Sequence, residues 1–496
     1  MEQSTRPKVP REWFNDESSI DKLRDVIISA YSDVFAKEGV LNEMNTTPMK
    51  IALKSDAVPY CMTSARQVSL AMRPLIKAEL DDMVGKGIIE PVGDRPTSWC
   101  HPAVIAWKPN GGIRITIDLK KLNSQVVRGS HNAPTPLEIV NDRRPDAKYW
   151  STMDAKAGYW QVPLDEDSQD YTVFITPFGR YRYLRSPMGY VSSGDVFNYR
   201  GDVALQGLEH VRKIVDDIIA EDADLEEHFN RVCDVLERCR LHRITLNPAK
   251  FVFAQGKVKF AGYVISREGL EADPEKVRAI ADFPEPTNPT EMRSFMGIVN
   301  QLGQFSKDVS AAAGPLRGLT SSKNAFVWTT EHTIAFKNVK SALTKTPILA
   351  TFDPTKETRL ETDASRLKGL GFVLLQRHED VWRLVSCGSR FLKDVETRYA
   401  MCELEAIAIE YAIKKSRLYL AGLPFFTVIT DHRPLVTIFN EYMLAQVENG
   451  KLQRIKANLQ SQYVFKVEWR KGKDHVLADA LSRAPVDTGY DDDDDD

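Results

Sequence analysis

The sequence predicts a multidomain chain of mixed α+β and α/β architecture. Three observations carry this. Strand-like apolar runs alternate with amphipathic helical stretches up to about residue 265. A proline-punctuated connection at Pro284, Pro286 and Pro289 follows. A separate α/β segment then runs from Arg359 to about residue 485. With 496 residues, the chain is long enough for several cores.

The N-terminal residues 1–45 are polar, with one helical segment over 20–35. In residues 72–87, Met72, Leu75, Ile76, Leu80 and Met83 recur at helical spacing, with Pro74 suited to the first turn and Gly85 and Gly87 closing the helix. Val104 to Trp107 and Ile113 to Ile117 read as strands joined by the hairpin signal Asn110-Gly111-Gly112. Asn288-Pro289-Thr290-Glu291 opens a helical run over 292–305, with Thr287 or Asn288 as its cap.

Net charge is −3, which at first argues against a nucleic-acid partner. The final six aspartates distort that number; without them 66 basic residues face 63 acidic ones, a net of +3. Binding of a polyanion would then rest on local basic patches, such as Lys120-Lys121, Lys414-Lys415-Arg417 and Arg470-Lys471-Lys473. The six cysteines lack paired CxxC spacing and read as reduced intracellular thiols. No apolar run is long enough for a membrane span, and residues 1–11 lack the apolar stretch of a signal peptide.

The most informative stretch is Ile214-Val215-Asp216-Asp217-Ile218-Ile219. Two adjacent carboxylates between strand-forming residues read as a tight β-hairpin that lifts acids out of a buried sheet. A third acid, Asp154, ends another strand-like run, Trp150-Ser151-Thr152-Met153-Asp154. Three converging carboxylates are costly unless a cation neutralises them. Hard oxygen donors suit Mg²⁺, and a pair of such ions suits phosphoryl transfer. In the second half, Glu361-Thr362-Asp363-Ala364-Ser365, Glu403-Leu404-Glu405-Ala406-Ile407, Phe426-Thr427-Val428-Ile429-Thr430-Asp431 and the helical run Asp474 to Arg483 repeat the theme of acids at strand ends and helix starts.

The order and spacing of Asp154-Ala155-Lys156-Ala157-Gly158-Tyr159, Ser186-Pro187-Met188-Gly189-Tyr190, the Asp216-Asp217 pair and Val258-Lys259-Phe260-Ala261-Gly262-Tyr263 resemble the reverse transcriptase of gypsy-type LTR retrotransposons (Metaviridae). The resemblance spans roughly residues 40–485. It implies a right-hand polymerase of fingers, palm and thumb, then a connection and a ribonuclease H-like domain. The expected division is 1–45 N-terminal extension, 46–265 fingers and palm, 266–355 thumb and connection, 356–485 ribonuclease H-like domain and 486–496 acidic tail.

The resemblance implies Asp154, Asp216 and Asp217 as catalytic, metal-holding acids of the polymerase. It implies Tyr159 as the ring that excludes a 2′-hydroxyl, and Arg114, Lys108 and Gly189 as dNTP contacts. Phe260, Ala261, Gly262 and Tyr263 would form a primer grip. In the ribonuclease H-like part, Asp363, Glu403, Asp431 and Asp479 are the implied metal-holding acids. There the Glu-Leu-x-Ala-Ile pattern selects Glu403 and leaves Glu405 as a solvated or ion-paired surface acid. Ser365 and Arg366 are expected hybrid contacts, His432 a turn residue, and His475 a neighbour of the final acid.

Two Mg²⁺ per site are expected, with Mn²⁺ as substitute. The expected partners are an RNA template, a DNA primer, dNTPs and an RNA–DNA hybrid, with monomer and homodimer both open and no membrane. The implied activities are RNA-directed DNA synthesis, DNA-templated synthesis and hydrolysis of RNA in hybrids. The alternative is a non-catalytic nucleic-acid-binding remnant of a retrotransposon polyprotein. The expected location is cytoplasmic, within virus-like particles, with nuclear access open.

The chain departs from the family pattern at three places. Ile214 stands where tyrosine is usual, which removes a hydroxyl near the primer end but no metal ligand. Met188 replaces Phe or Gln, and Ser192-Ser193-Gly194-Asp195 replaces an Asn-Ala-Pro run. No zinc-knuckle or integrase pattern is present, and Asp487-Thr488-Gly489 matches a protease signature only by chance. The chain reads as the polymerase–ribonuclease H portion of a larger polyprotein or as a shortened element.

Overall fold

The computed structural model describes residues 6–36, 40–107, 112–129, 131, 134–302, 312–321, 325–343, 348–365, 369–393 and 395–470. The chain forms two compact units, Met1–Ala261 and Gly262–Asp496.

The first unit has two sheets. The five-stranded sheet has the order β1-β6-β5-β2-β3, from β1 (Ile89–Pro91), β2 (His101–Trp107), β3 (Ile113–Ile117), β5 (Phe174–Thr176) and β6 (Gly179–Tyr183). The four-stranded sheet has the order β7-β8-β4-β9, from β4 (Tyr149–Asp154), β7 (Val211–Ile214), β8 (Asp217–Asp222) and β9 (Val252–Gln255). Strand β10 (Lys257–Phe260) ends the unit. As the sequence predicts, β2 and β3 pair antiparallel, from Ala103↔Ile117 to Trp107↔Ile113.

Its long helices are α1 (Ile20–Ala30), α2 (Arg73–Gly85), α3 (Ser193–Leu205) and α4 (Leu225–Leu241). In α2 the periodic residues Ile76, Leu80 and Met83 are buried. The helix closes at Gly87 (φ +62°), where Gly87 N–H donates to Val84 and Ile88 N–H to Met83, a paired cap that needs a left-handed residue. Leu23 and Ile27 of α1, with Tyr31, Val34 and Phe35, lie in the same buried core as Met153, Ile218 and Phe253. The segment read as an N-terminal extension therefore helps build this unit. The predicted helix is shorter than expected, ending at Ala30. Asp224 caps α4 by accepting from the N–H groups of Glu226 and Glu227.

The second unit opens with the antiparallel pair β11 (Tyr263–Ser266) and β12 (Gly269–Ala272). Helices α5 (Pro274–Ala281), α6 (Pro289–Leu302) and α7 (Thr330–Leu343) follow. Asn288 caps α6 through Oδ1, accepting from Thr290 and Glu291 N–H. The large sheet then forms in the order β15-β14-β13-β16-β17, from β13 (Thr358–Ser365), β14 (Gly369–His378), β15 (Val381–Phe391), β16 (Phe426–Thr430) and β17 (Phe465–Trp469). β13 to β15 are antiparallel, whereas β16 runs parallel to both β13 and β17.

Helix α8 (Met401–Lys415) buries Leu404, Ala408, Ile409 and Ala412 in a core with Leu360, Leu374, Val428 and Val467. Shorter helices α9 (Arg433–Asn440) and α10 (Gly450–Gln460) complete this part. None of the six cysteines is in a disulfide, and four of them are buried. No helix among the described residues is long and apolar enough to cross a membrane.

Candidate active sites

The first site forms where β4 ends beside the β7–β8 hairpin. Asp154 and Asp217 are direct cross-strand partners, and Ile214 faces Asp217 across the hairpin. Val215 and Asp216 make the turn between the strands. Val215 adopts φ 49°, which costs a β-branched residue about 1–2 kcal/mol. Such strain persists only where its surroundings enforce it. Here the main chain is pinned: Ala155 N–H donates to the Asp216 carbonyl at 2.7 Å, and Asn247 N–H to the Asp154 carbonyl at 2.8 Å.

Burial, then repulsion from Asp154 and Asp217, pushes the Asp216 carboxyl up to about 6. Burial and Asp154 raise Asp217 as well. Oδ1 of Asp216 is buried and has no hydrogen-bond partner among the described residues. Lys250 Nζ lies 2.7 Å from Asp154 Oδ2, and Lys213 and then Lys250 offset the charge of Asp216. An orphaned buried carboxylate oxygen inside a cluster of three acids fits a hard divalent cation.

Three further groups shape this site. Gly158 follows Asp154 by four residues, and a Cβ there would lie 2.2 Å from Asp216 Oδ1 and 2.6 Å from the Phe197 ring. Tyr159 packs edge-on to Phe197, with ring centroids 6.1 Å apart. Burial, then Asp216 and Asp195, raise the pKa of its hydroxyl. Gly189 adopts φ 94°, and a Cβ there would lie 3.1 Å from the Ile117 carbonyl oxygen. Asn123 clamps that segment, its Nδ2 donating to the Gly189 carbonyl at 2.9 Å and its Oδ1 accepting from Val191 N–H at 3.0 Å. Ser193, one of the departures from the family pattern, is buried and its hydroxyl donates to the Pro187 carbonyl.

Arg114 is exposed on β3, between the buried Ile113 and Ile115. Lys108 lies outside the described residues. Phe260 and Tyr263 are buried, and Ala261 and Gly262 between them have φ 53° and 82°. This is the backbone of a tight two-residue turn, so only the turn itself is presented outward.

The second site lies in the other unit. Oxygens of Asp363 on β13, Glu405 on α8 and Asp431 after β16 come within 4.8 Å of one another. Glu405 is fully buried and accepts from Ala364 N–H at 3.2 Å. Burial, then Asp363 and Asp431, raise its carboxyl well above the ordinary range. An all-carboxylate cluster held in this state again fits a divalent cation.

This corrects the expectation for Glu403. Glu403 sits in the first turn of α8, where Oε2 accepts from Ala400 N–H at 3.0 Å and Oε1 from Asn449 at 3.2 Å, with Lys451 at 3.5 Å. Those partners hold it below the usual carboxyl range. It caps the helix and pairs with Lys451. Glu405, expected at the surface, takes the place assigned to Glu403 because two residues along a helix turn the side chain from the outer face to the sheet. Asp479, Arg366 and His475 lie outside the described residues. His432 follows Asp431, and its N–H donates to Thr430 Oγ1.

Residues 106–265 match the family described as reverse transcriptase (RNA-dependent DNA polymerase), and residues 328–428 match the RNase H-like domain found in reverse transcriptase. The retrovirus-related Pol polyprotein from transposon opus of Drosophila melanogaster is 31% identical over 88% of this chain and 45% of its own length. That from transposon 412 of the same organism is 31% identical over 93% of this chain and 37% of its length. The transposon Tf2-3 polyprotein of Schizosaccharomyces pombe is 31% identical over 77% of this chain and 29% of its length. The chain thus spans less than half of these relatives.

Among solved structures, the foamy viral protease-reverse transcriptase in complex with dsDNA has a TM-score of 0.79 at 20% identity, covering 94% of this chain and 98% of that one. The same viral protein in complex with RNA/DNA hybrid has a TM-score of 0.75 at 19% identity, covering 94% and 62%. These likenesses establish the fold.

Proposed function

We propose that this chain, a reverse transcriptase domain joined to an RNase H-like domain and related to the Pol polyproteins of LTR retrotransposons, copies RNA into DNA at the first site and hydrolyses the RNA of the hybrid at the second. The observation that carries the reading is the Asp154–Asp217 cross-strand pair with Asp216 in the turn beside it. A scaffold that only bound nucleic acid would gain nothing from holding three carboxylates together against their repulsion. The gypsy-type assignment rests on the motif order in the sequence.

Asp154, Asp216 and Asp217 would hold the cations of the first site, and Asp363, Glu405 and Asp431 those of the second, with Asp479 as a further candidate. When bound, two Mg²⁺ at each site supply charge stabilisation for the attacking and leaving oxygens of phosphoryl transfer. The chain's own residues do the rest. Tyr159 puts an aromatic wall beside the acids, where the sugar of a dNTP would lie and a 2′-hydroxyl would clash. Arg114 offers an exposed guanidinium suited to a triphosphate. Gly189, with no side chain, lets backbone approach the nucleotide. The turn Ala261-Gly262 presents backbone to the primer end.

The test is extension of a labelled DNA primer on an RNA template with dNTPs and Mg²⁺ or Mn²⁺, beside Asp216→Asn and Asp363→Asn. Asp216→Asn should abolish extension and spare hybrid cleavage, and Asp363→Asn should do the reverse. A folded wild-type chain that binds the hybrid but neither extends nor cleaves would replace this reading with that of a binding-only remnant.

A further inference from the structure

Trp469 is the last residue of β17 and is 48% exposed. Its ring is oriented by a hydrogen bond. The indole Nε1–H donates to the backbone carbonyl of Asp431 at 3.0 Å. Its main chain is paired with Thr430, the residue before Asp431. The next residue is tied down as well: Arg470 N–H donates to the Thr430 carbonyl at 3.0 Å, and its guanidinium reaches Glu361 at 3.0 Å. Glu361 lies two residues before Asp363 on β13 and also pairs with Arg359 at 2.7 Å. One strand end thus brings an indole and a guanidinium against the two strands that carry Asp363 and Asp431.

We propose that Trp469 is a positioning residue of the ribonuclease H site with a second role as a strand contact. Its N–H fixes the Asp431 main chain and leaves the carboxylate free for the cluster. Its exposed ring face stacks on a nucleotide of the RNA–DNA hybrid. The inference rests on the ribonuclease H reading of the Asp363–Glu405–Asp431 cluster. The chemistry follows from the geometry. Asp431 follows the end of a strand, where no further ladder bond holds its carbonyl, so a side-chain donor is what fixes the aim of its carboxylate. An aromatic face beside a cation suits a nucleic-acid strand, because every base presents a π-face and every linkage a phosphate.

Two substitutions separate the roles. Trp469→Phe keeps a ring and removes the donor. Trp469→Ala removes both. For RNA cleavage, Trp469→Phe should lower kcat by about 10- to 100-fold, as loss of a ligand-orienting partner does, with KM nearly unchanged. Trp469→Ala should lower kcat equally and raise KM as well. Primer extension should match wild type in Trp469→Phe, which keeps the ring that meets the hybrid. A second readout needs no metal: in EDTA, a hybrid carrying 5-iodouridine in its RNA strand should photo-cross-link to the peptide containing Trp469. Wild-type kcat in Trp469→Phe overturns the positioning role. Cross-linking confined to other peptides overturns the strand contact. If Asp431→Asn itself cleaves normally, the ribonuclease H reading of the cluster fails, a result distinguishable from failure of the Trp469 roles alone.

Discussion

A Cβ placed on Gly158 would lie 2.2 Å from Oδ1 of Asp216, and the Phe197 ring blocks its escape at 2.6 Å. Gly158 is therefore the floor of the first acid cluster, where any side chain would push Asp216 out of line. Gly158→Ala should fold, since the groups it displaces, the Asp216 carboxylate and the Phe197 ring, are side chains rather than backbone, yet lose primer extension. A misplacement of about 1 Å near reacting atoms costs on the order of 100-fold. Hybrid cleavage by the same preparation serves as the internal control. Extension at wild-type rate would show that Asp216 has room to shift without consequence.

The two glutamates of α8 make an opposed pair of expectations. Glu405→Gln should abolish hybrid cleavage while raising the stability of the metal-free chain, because a buried carboxyl flanked by Asp363 and Asp431 becomes a neutral amide. Glu403→Gln should leave cleavage active and cost less than about 1 kcal/mol, since its cation partner and capping contact lie near the surface. Cleavage assays and thermal unfolding of both variants decide it. Loss of cleavage in Glu403→Gln with activity in Glu405→Gln would reverse the assignment.

This pair also shows how far the sequence could be read. The Asp216-Asp217 hairpin and its convergence with Asp154 are legible, because strand-forming apolar runs that flank a pair of acids are local signals. Glu405 was misplaced through trust in a motif register, although the helix period held the answer. Glu405 shares the stripe of Ala408, Ile409 and Ala412, all buried, whereas Glu403 lines up with Glu410 and Lys414 on the outer face. Lys250, 96 residues from Asp154, and Phe197, which closes over Gly158, leave no mark in local pattern. Only the tertiary fold brings them to the acids. The clamp by Asn123 on Gly189 is similar, 66 residues apart in sequence.

The pH dependence of the metal-free chain follows from Asp216. Its carboxyl stands at about 6 against an ordinary 3.8, through burial first and then Asp154 and Asp217. Between those values the folded state binds more protons than the unfolded one, so stability falls as pH rises through the window and levels off above it. Asp216→Asn removes this loss. In EDTA, the Tm of the variant should exceed that of wild type at neutral pH, and the two should converge as pH falls toward about 4. Mg²⁺ should raise the wild-type Tm at neutral pH and have less effect on the variant. Parallel Tm curves across the window would mean that Asp216 ionises in the fold without penalty.

Beneath the same acids, a chain of buried groups holds β4 in register. Ser151 sits where β4 slips against β9, between the pairs Trp150↔Gln255 and Thr152↔Val252. Its hydroxyl oxygen accepts from Ala254 N–H at 2.9 Å, at a residue forced to φ 48°, so a side chain replaces the missing ladder bond. The Ser151 hydroxyl meets His228 Nε2 at 2.7 Å, and His228 Nδ1 meets Asp222 at 2.9 Å. Arg231 completes the chain by donating to Asp222 at 3.1 Å. Ser151, His228 and Asp222 are all fully buried, so the arrangement resembles a nucleophile relay in order only and has no access to a substrate. Its consequence is mechanical: it fixes the strand three residues before Asp154. Ser151→Ala leaves the Ala254 N–H without an acceptor and His228 Nε2 without its hydroxyl partner, a cost of about 1–3 kcal/mol. Extension should fall along with it, chiefly in kcat because Asp154 is re-aimed, while hybrid cleavage is spared. A lowered Tm with unchanged extension below the new transition would assign Ser151 to stability alone.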